Sequence, residues 1–117
     1  MNNKVIGNKG EDMAVDYLKA QGYSILDRNW RFKNWEVDII ANKGKFLHFI
    51  EVKTRTSAVY GKPEESISKS KMENLLNAAE EYQYINPQWK FIQFDVLAIT
   101  LKFNQPAEYY MIEDVYL

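Results

Sequence analysis

Apolar and polar positions along the chain follow two periods, which divide the 117 residues into helices and strands. Apolar residues recur every three or four positions in residues 7–22 and 68–84, the spacing of a helix with one buried face. We expect Asn8 to cap the first helix and Pro87 to close off the second. Apolar runs rich in aromatic and β-branched residues predict five strands, at 23–30, 36–41, 46–55, 90–101 and 109–117.

The order αβββαββ predicts an α+β fold of three layers, in which helices flank a mixed sheet. No internal repeat, linker or low-complexity segment interrupts the sequence, and 117 residues suit one domain with a real core. We therefore expect a single domain over residues 1–117.

Four charged residues interrupt the hairpin that is predicted over residues 36–55, namely Glu36, Asp38, Glu51 and Lys53. A turn formed by Lys43-Gly44 alone, or by all of residues 42–45, predicts that paired residue numbers sum to 87, so that Asp38 faces Phe49. In that register Glu36 faces Glu51, and all four charged side chains share one face of the sheet. A three-residue loop would change the pairing parity of the two strands, which would separate the charged residues of one strand from those of the other.

Three carboxylates on one face raise each other's pKa and destabilise a sheet unless something neutralises them. A hard divalent cation such as Mg²⁺ prefers oxygen ligands, polarises a phosphoryl oxygen and lowers the pKa of a bound water. Lys53 beside Glu51 would orient that water or stabilise the developing negative charge. The alternative from spacing alone is an ordinary ion pair of Glu51 with Lys53 near a strand end, with the other two carboxylates solvated.

Composition excludes several other classes. The chain has no cysteine, which excludes disulfides, thiolate metal sites and cysteine nucleophiles. The charged first twenty residues and the lack of a long apolar run predict a cytoplasmic protein with no signal peptide and no membrane span. The net charge of −1 argues against strong non-specific binding of nucleic acid by bulk charge. The first 55 residues nevertheless hold ten Lys and Arg against seven Asp and Glu, which leaves room for a local basic face.

The stretch RNWRFKNW at residues 28–35 interleaves three cationic with three aromatic side chains. Cations suit phosphates and exposed rings suit unpaired bases, so the pattern favours contact with nucleic acid. The alternative is a strand whose rings face the core, which we expect for Trp30 but not for Phe32 and Trp35. The candidate nucleic-acid contacts are Arg28, Arg31, Lys33, Arg55 and Lys71.

Two polar residues within apolar strands have a structural interpretation. His48 is the only histidine and lies on the face opposite Glu51 in the predicted register, so we expect it to be structural. Asp95 is either a further acidic member of the site or a buried, hydrogen-bonded carboxylate, and we favour the second interpretation.

Ordered segments along most of the chain resemble the YraN-like family of the PD-(D/E)XK nuclease superfamily, which is similar to archaeal Holliday-junction resolvases. The matching segments are G-N-K-G-E-D-x-A at 7–14, Y-L-x-x-x-G-Y-x-I-L-x-R-N at 17–29, E-V-D-I-I-A at 36–41, I-E-V-K-T-R at 50–55, Y-G-K-P-E-E at 60–65, Lys71 and F-D-V at 94–96. Trp35 and Gln93 depart from the family, which commonly has glycine and arginine at these positions.

The resemblance implies a restriction-endonuclease-like core of order αβββαβ, here with an extra C-terminal strand. It implies a Mg²⁺- or Mn²⁺-dependent DNA endonuclease that acts on branched or structured DNA, and a possible homodimer. It also maps Asp38 and Glu51 to metal ligands, together with the Val52 backbone carbonyl, and Lys53 to the catalytic lysine. Glu11 matches a helix carboxylate of the resolvase-like enzymes and would join the site by resemblance alone. The alternative is a non-catalytic module that keeps the fold and binds nucleic acid or a protein.

Overall fold

A computed structural model describes the backbone of residues 3–56 and 68–115, and the side chains from residue 9 onwards within those ranges. The helices are α1 (Asn3–Ala20) and α2 (Lys69–Ile85), and the strands are β1 (Ser24–Phe32), β2 (Trp35–Lys43), β3 (Phe46–Arg55), β4 (Phe91–Thr100) and β5 (Glu108–Ile112). This order confirms the predicted αβββαββ arrangement. The segment matched at 60–65 and the last two residues of the predicted final strand lie outside the described residues.

The five strands form one sheet in the order β1-β2-β3-β4-β5. Strands β3 and β4 are parallel, and every other neighbouring pair is antiparallel, so the sheet is mixed as predicted. A parallel pair needs a crossover connection, and α2 lies in the connection between β3 and β4.

The two helices cover opposite faces of the sheet, which gives the three predicted layers. The first face, called the α1 face, buries Ala14 and Leu18 of the helix with Ile39, Ile50, Leu97 and Ile99 of the strands. The second, called the α2 face, buries Met72, Leu75, Ala79 and Tyr82 with Val37, Leu47, Phe49 and Phe94. Side chains alternate along β3, so its odd-numbered residues face α2 and its even-numbered residues face α1.

The hairpin register differs from the prediction by two residues. Lys43 pairs with Phe46 and Ile39 with Ile50, so paired numbers sum to 89 instead of 87. The turn is therefore Gly44-Lys45, in which only Gly44 has a positive φ, of 62°. A two-residue turn with glycine at its first central position matches the twist of the flanking strands. The predicted pairs of Asp38 with Phe49 and Glu36 with Glu51 are wrong, but the parity is preserved.

Helix α1 begins at Asn3, so the prediction that Asn8 caps it is wrong. Gly10 lies inside this helix because α1 passes very close to β3. A Cβ atom on Gly10 would lie 1.9 Å from Oγ1 and 2.8 Å from Cβ of Thr54. Glycine therefore permits the approach that carries the next residue, Glu11, towards the sheet. Neither described helix has the combination of length and apolar character needed to cross a bilayer.

Candidate active site

Asp38 lies where the backbone pairing of β2 with β3 ends. The regular pairs run from Lys43 with Phe46 to Ile39 with Ile50. One residue further along β2, the Asp38 side chain accepts a hydrogen bond of 2.9 Å at Oδ2 from the Val52 backbone N–H. This bond holds the Asp38 carboxylate against β3.

Glu51 is buried on β3, and two lysines contact one of its oxygens. Its exposed fraction is only 5%, yet Lys53 Nζ lies 3.8 Å from Oε1, and Lys71 Nζ forms an ion pair with the same oxygen. Lys71 is held in the first turn of α2, where its backbone N–H donates to Oγ of the capping residue Ser68 at 3.1 Å. The start of α2 thus brings a second lysine to the carboxylate on β3.

Burial and neighbouring charges shift the pKa values of three residues of this site, Asp38, Lys53 and Lys71. Burial and the neighbouring charge of Glu51 raise the pKa of Asp38 to about 7, with a further contribution from Glu11, and the Val52 hydrogen bond and Lys71 only partly oppose the shift. Burial, and then the charge of Lys71, lower the pKa of Lys53. Burial is the largest single effect on Lys71 and acts to lower its pKa, but the hydrogen bond to Glu51, the charges of Glu51 and Asp38 and the contact with Lys53 together raise the pKa overall. The site therefore holds a carboxyl group that is difficult to ionise beside a lysine that is easier to deprotonate than usual.

Glu11 reaches the site from α1, close enough for its charge to raise the pKa of Asp38. Its Oε1 is shielded from solvent and accepts no hydrogen bond from any residue that the structure describes. Arg28 Nη2 lies 3.9 Å from this oxygen and makes a closer contact of 2.8 Å with Asp12. A buried oxygen without a hydrogen-bond donor is costly, and a cation would satisfy it.

The donor set fits a hard divalent cation of the magnesium type. Within residues 9–56 and 68–115, no three His, Cys, Asp or Glu side chains converge into a complete metal site. Mg²⁺ does not require such a set, since it usually takes one or two carboxylates and keeps several waters. Asp38 and Glu51 offer oxygen ligands, and their mutual repulsion is the condition that a cation relieves.

The fourth member of the predicted cluster, Glu36, has a separate partner. Its Oε2 lies 2.6 Å from Nη2 of Arg31, and both side chains are largely exposed. Glu36 nevertheless lines a cleft of about 270 Å³ together with Glu51, Lys71 and Asn74. The structure therefore brings Asp38, Glu51 and Lys53 together and places Glu36 at the wall of the cleft beside them. We refer to this cavity as the catalytic cleft.

The predicted nucleic-acid contacts are spread around this region. Arg28 and Arg31 form the ion pairs given above, Arg55 is half-buried at the end of β3, and Lys33 is exposed in the turn between β1 and β2. Contact of these residues with nucleic acid stays a prediction. Lys71 was predicted to contact phosphate, and its ion pair with Glu51 was missed. Only the packing of α2 against β3 reveals that pair.

His48 and Asp95 form a separate buried pair on the α1 face. His48 Nδ1 lies 2.7 Å from Asp95 Oδ2, while Oδ1 accepts hydrogen bonds of 2.9 Å from Gln93 Nε2 and the Asp114 backbone N–H. The exposed fractions of His48 and Asp95 are 5% and 1%. Both structural interpretations are confirmed, and this pair lies outside the candidate active site.

Comparison with known proteins gives a consistent result. The profile of the uncharacterised protein family UPF0102 matches residues 10–99. A UPF0102 protein of Chloroherpeton thalassium is 43% identical over 122 aligned positions, covering 97% of this chain and 95% of the relative. Another, from Dictyoglomus thermophilum, is 45% identical over 102 positions, covering 86% of each chain.

Among solved structures, the fold resembles that of Hjc, a Holliday junction resolvase from the hyperthermophilic archaeon Archaeoglobus fulgidus. The TM-score is 0.51 with 16% sequence identity, and the match covers 88% of this chain and 74% of the resolvase. At this identity the likeness establishes the fold, which confirms the predicted restriction-endonuclease-like architecture.

Proposed function

This chain belongs to the uncharacterised protein family UPF0102, and we propose that it is a metal-dependent endonuclease that hydrolyses phosphodiester bonds in branched or structured DNA. The observation that carries the proposal is the half-buried Asp38 close to the buried Glu51, two carboxylates that repel each other beside Lys53. The likeness of the fold to that of a Holliday junction resolvase also supports a nuclease function.

Asp38 and Glu51 would hold Mg²⁺ or Mn²⁺, with the Val52 carbonyl and Glu11 as further oxygen donors. When bound, such an ion supplies Lewis-acid polarisation of a phosphoryl oxygen and a water of lowered pKa. The hydrogen bond from the Val52 N–H fixes the Asp38 carboxylate, so little reorganisation is needed at that ligand.

Lys53 would act on the attacking water or on the charge that develops at the phosphate. Burial lowers its pKa, so that more of the side chain is deprotonated at a given pH, and thus free to accept a proton, than for an exposed lysine. In its charged form it stabilises the extra negative charge of the transition state. Lys71, which contacts the same Glu51 oxygen from α2, adds positive charge to the wall of the cleft where a phosphate would enter.

The test is cleavage of junction, flap, single-stranded and plasmid DNA by the purified protein, with Mg²⁺, with Mn²⁺ and with a chelator. We expect metal-dependent cleavage that Glu51→Gln and Lys53→Ala each reduce by at least about 100-fold. The matched controls are Glu108→Gln and Lys102→Ala, which alter an exposed ion pair at the β5 edge of the sheet and should leave cleavage unchanged. Absence of cleavage on every substrate, or full activity of Glu51→Gln, would contradict the proposal.

A second candidate function is a module that binds nucleic acid or a protein without cutting. The observation that favours it is the ion pair of Lys71 with Glu51, because the lysine engages an oxygen that the cation would need. Salt-dependent DNA binding without metal-dependent cleavage would support this alternative. No DNA binding at low salt would point to a protein partner.

Three further expectations accompany the proposal and stay predictions: a single nuclease-like domain over residues 1–117, a cytoplasmic location and a homodimer. Among the strands that the structure describes, β5 lies at one edge of the sheet and pairs with β4 alone, which makes it the candidate edge for pairing between two copies. Light scattering of the purified protein measures the oligomeric state directly.

A further inference from the structure

A second cleft, of about 380 Å³, lies beside the catalytic cleft and takes no part in the proposed chemistry. The turn between β1 and β2 contributes Phe32, Lys33 and Trp35 to one side. The middle of α2 contributes Glu80, Glu81 and Tyr84 to the other. We refer to this cavity as the aromatic cleft.

The two clefts are neighbours along the same two elements. Asn34 lines the catalytic cleft and Lys33, the preceding residue, lines the aromatic cleft. On α2, Asn74 belongs to the catalytic cleft and Asn77 to the aromatic cleft, a separation of about 4.5 Å along the helix axis. A DNA strand that passes Glu51 along α2 therefore reaches the aromatic cleft next.

Half-buried aromatic rings form one wall of the aromatic cleft. Phe32 and Trp35 line it with their planes tilted by 38°, and Trp30, which does not line the cleft, stacks on Phe32. The centroids of Phe32 and Trp35 are 5.8 Å apart, and Trp30 lies 6.4 Å from Phe32 with the rings only 14° from parallel. Trp30 packs against the core of the α2 face, as predicted. Trp35 does so as well, so the prediction that its ring does not face the core is wrong. These contacts fix the two rings to the body of the protein. On the opposite wall, the Tyr84 side chain is 77% exposed, and its ring contacts no other aromatic ring among the described residues.

The charges in the aromatic cleft favour a base over a phosphate. Lys33 Nζ lies 5.5 and 5.6 Å from the ring centroids of Phe32 and Trp35, so its charge is directed at the rings. Glu80 and Glu81 on the other wall repel a phosphate. A planar, uncharged base can stack on the rings while its own phosphate stays outside.

We propose that the aromatic cleft binds an unpaired base of the DNA strand that enters the catalytic cleft. The inference rests on the proposed nuclease function and sharpens it, because it assigns a substrate with a single-stranded segment next to the bond that is cut. Fully paired duplex DNA would leave the rings unused, since its bases are stacked on one another.

The test measures DNA binding by fluorescence anisotropy in the presence of a chelator, so that cleavage plays no part. The probes are a single-stranded oligonucleotide, its fully paired duplex and a strand of the same length with abasic sites. Tyr84→Ala and Phe32→Ala should each weaken single-strand binding about tenfold and change duplex binding less than about twofold. The parent should bind the abasic strand about as weakly as the variants bind the intact strand.

Phe103→Ala is the matched control, because Phe103 is 90% exposed and does not line the cleft. Circular dichroism of each variant checks the fold, and Tyr84 is so exposed that its truncation leaves the core intact. Unchanged single-strand binding by Tyr84→Ala, an equal loss in Phe103→Ala, or equal binding of abasic and intact strands by the parent would overturn the proposal.

This outcome is separable from that of the nuclease proposal. If the aromatic cleft fails the binding test while metal-dependent cleavage depends on Glu51, the function stands and the assignment of a single-stranded substrate is wrong. If the cleft passes while no substrate is cut, the base-binding site stands and the protein is the binding module of the second candidate function.

Discussion

His48 and Glu51 lie three residues apart on β3, but the carboxylates near them have opposite environments. On the α1 face, Asp95 is 1% exposed and receives three hydrogen bonds, from His48, Gln93 and the Asp114 backbone. Asp38, in contrast, is only half-buried, receives one backbone hydrogen bond and lies close to a second carboxylate, the buried Glu51.

The difference separates a structural acid from the acids that we propose to be functional. A buried carboxylate whose oxygens are all paired rigidifies the fold and has no remaining capacity for a ligand. Two neighbouring carboxylates that repel each other cost stability, and proteins keep such an arrangement where a cation or a reaction requires it. We therefore expect changes at Asp95 to affect stability, and changes at Asp38 and Glu51 to affect function.

The largest expected effect is on the structural pair. Asp95→Ala should lower the free energy of unfolding by about 3 kcal/mol, because three donors lose their acceptor inside the protein. Urea denaturation followed by circular dichroism measures this change. Glu108→Ala, which removes an exposed carboxylate, is the control and should stay within about 0.5 kcal/mol of the parent. A loss below about 1 kcal/mol for Asp95→Ala would contradict the structural role of the His48–Asp95 pair and its contrast with Asp38 and Glu51.

Asp38→Asn should instead raise the free energy of unfolding, by an amount that depends on pH. The pKa of Asp38 is raised from 3.8 to about 7, so the folded protein holds this proton more tightly than the unfolded chain does. The cost of ionising Asp38 is therefore absent below the unfolded pKa, grows as the pH rises through this range and is complete above about pH 7. With a chelator present, the stability advantage of Asp38→Asn should grow by about 2 kcal/mol between about pH 5 and pH 8.

The same urea denaturation at each pH provides the measurement. An advantage that stays constant over this range would show that Asp38 is not under electrostatic stress, and the contrast with Asp95 would fail.

A smaller effect concerns the approach of α1, which carries Glu11 to the site. Gly10→Ala forces a contact with Thr54 that costs about 1–3 kcal/mol, while the gain in helix propensity returns about 1 kcal/mol. We expect a net loss of about 1 kcal/mol in thermal or urea denaturation. The double variant Gly10→Ala/Thr54→Ala should recover part of this loss, and no recovery would mean that the close approach is not the cause.

The smallest expected effect is at Lys71, which competes with a cation for the Glu51 oxygen. Lys71→Ala should tighten binding of Mn²⁺ about threefold, the size expected for loss of a half-exposed ion pair. Titration calorimetry measures the change. The control is Lys69→Ala, which removes an exposed lysine two residues earlier on the same helix. Weaker Mn²⁺ binding by Lys71→Ala would show that the lysine supports the site instead of competing.

Much of the fold was predictable because it depends on local patterns. The alternation of apolar residues along β3 is enough to place His48 and Glu51 on opposite faces of the sheet. The pairing parity of the hairpin is enough to keep Asp38 near Glu51. The exact register was not predictable, because four consecutive residues, Asn42–Lys45, all suit a turn and only the packing selects Gly44-Lys45.

The candidate site was less predictable where residues come from distant segments. Glu11 lies 27 positions before Asp38, and only the resemblance to a nuclease family suggested that it joins the site. The contact of Lys71 with Glu51 depends on the crossover that returns α2 to β3, which no spacing in the sequence encodes. The aromatic cleft likewise needs Tyr84 of α2 to face the turn that carries Phe32.

The central claim is that Asp38 and Glu51 form an acid pair that a divalent cation completes. Titration calorimetry with Mn²⁺ tests it most directly, using the parent, Glu51→Gln and the control Glu108→Gln. We predict saturable binding to the parent and to Glu108→Gln, and its loss in Glu51→Gln. Equal binding by all three proteins, or no binding to the parent, would contradict the account.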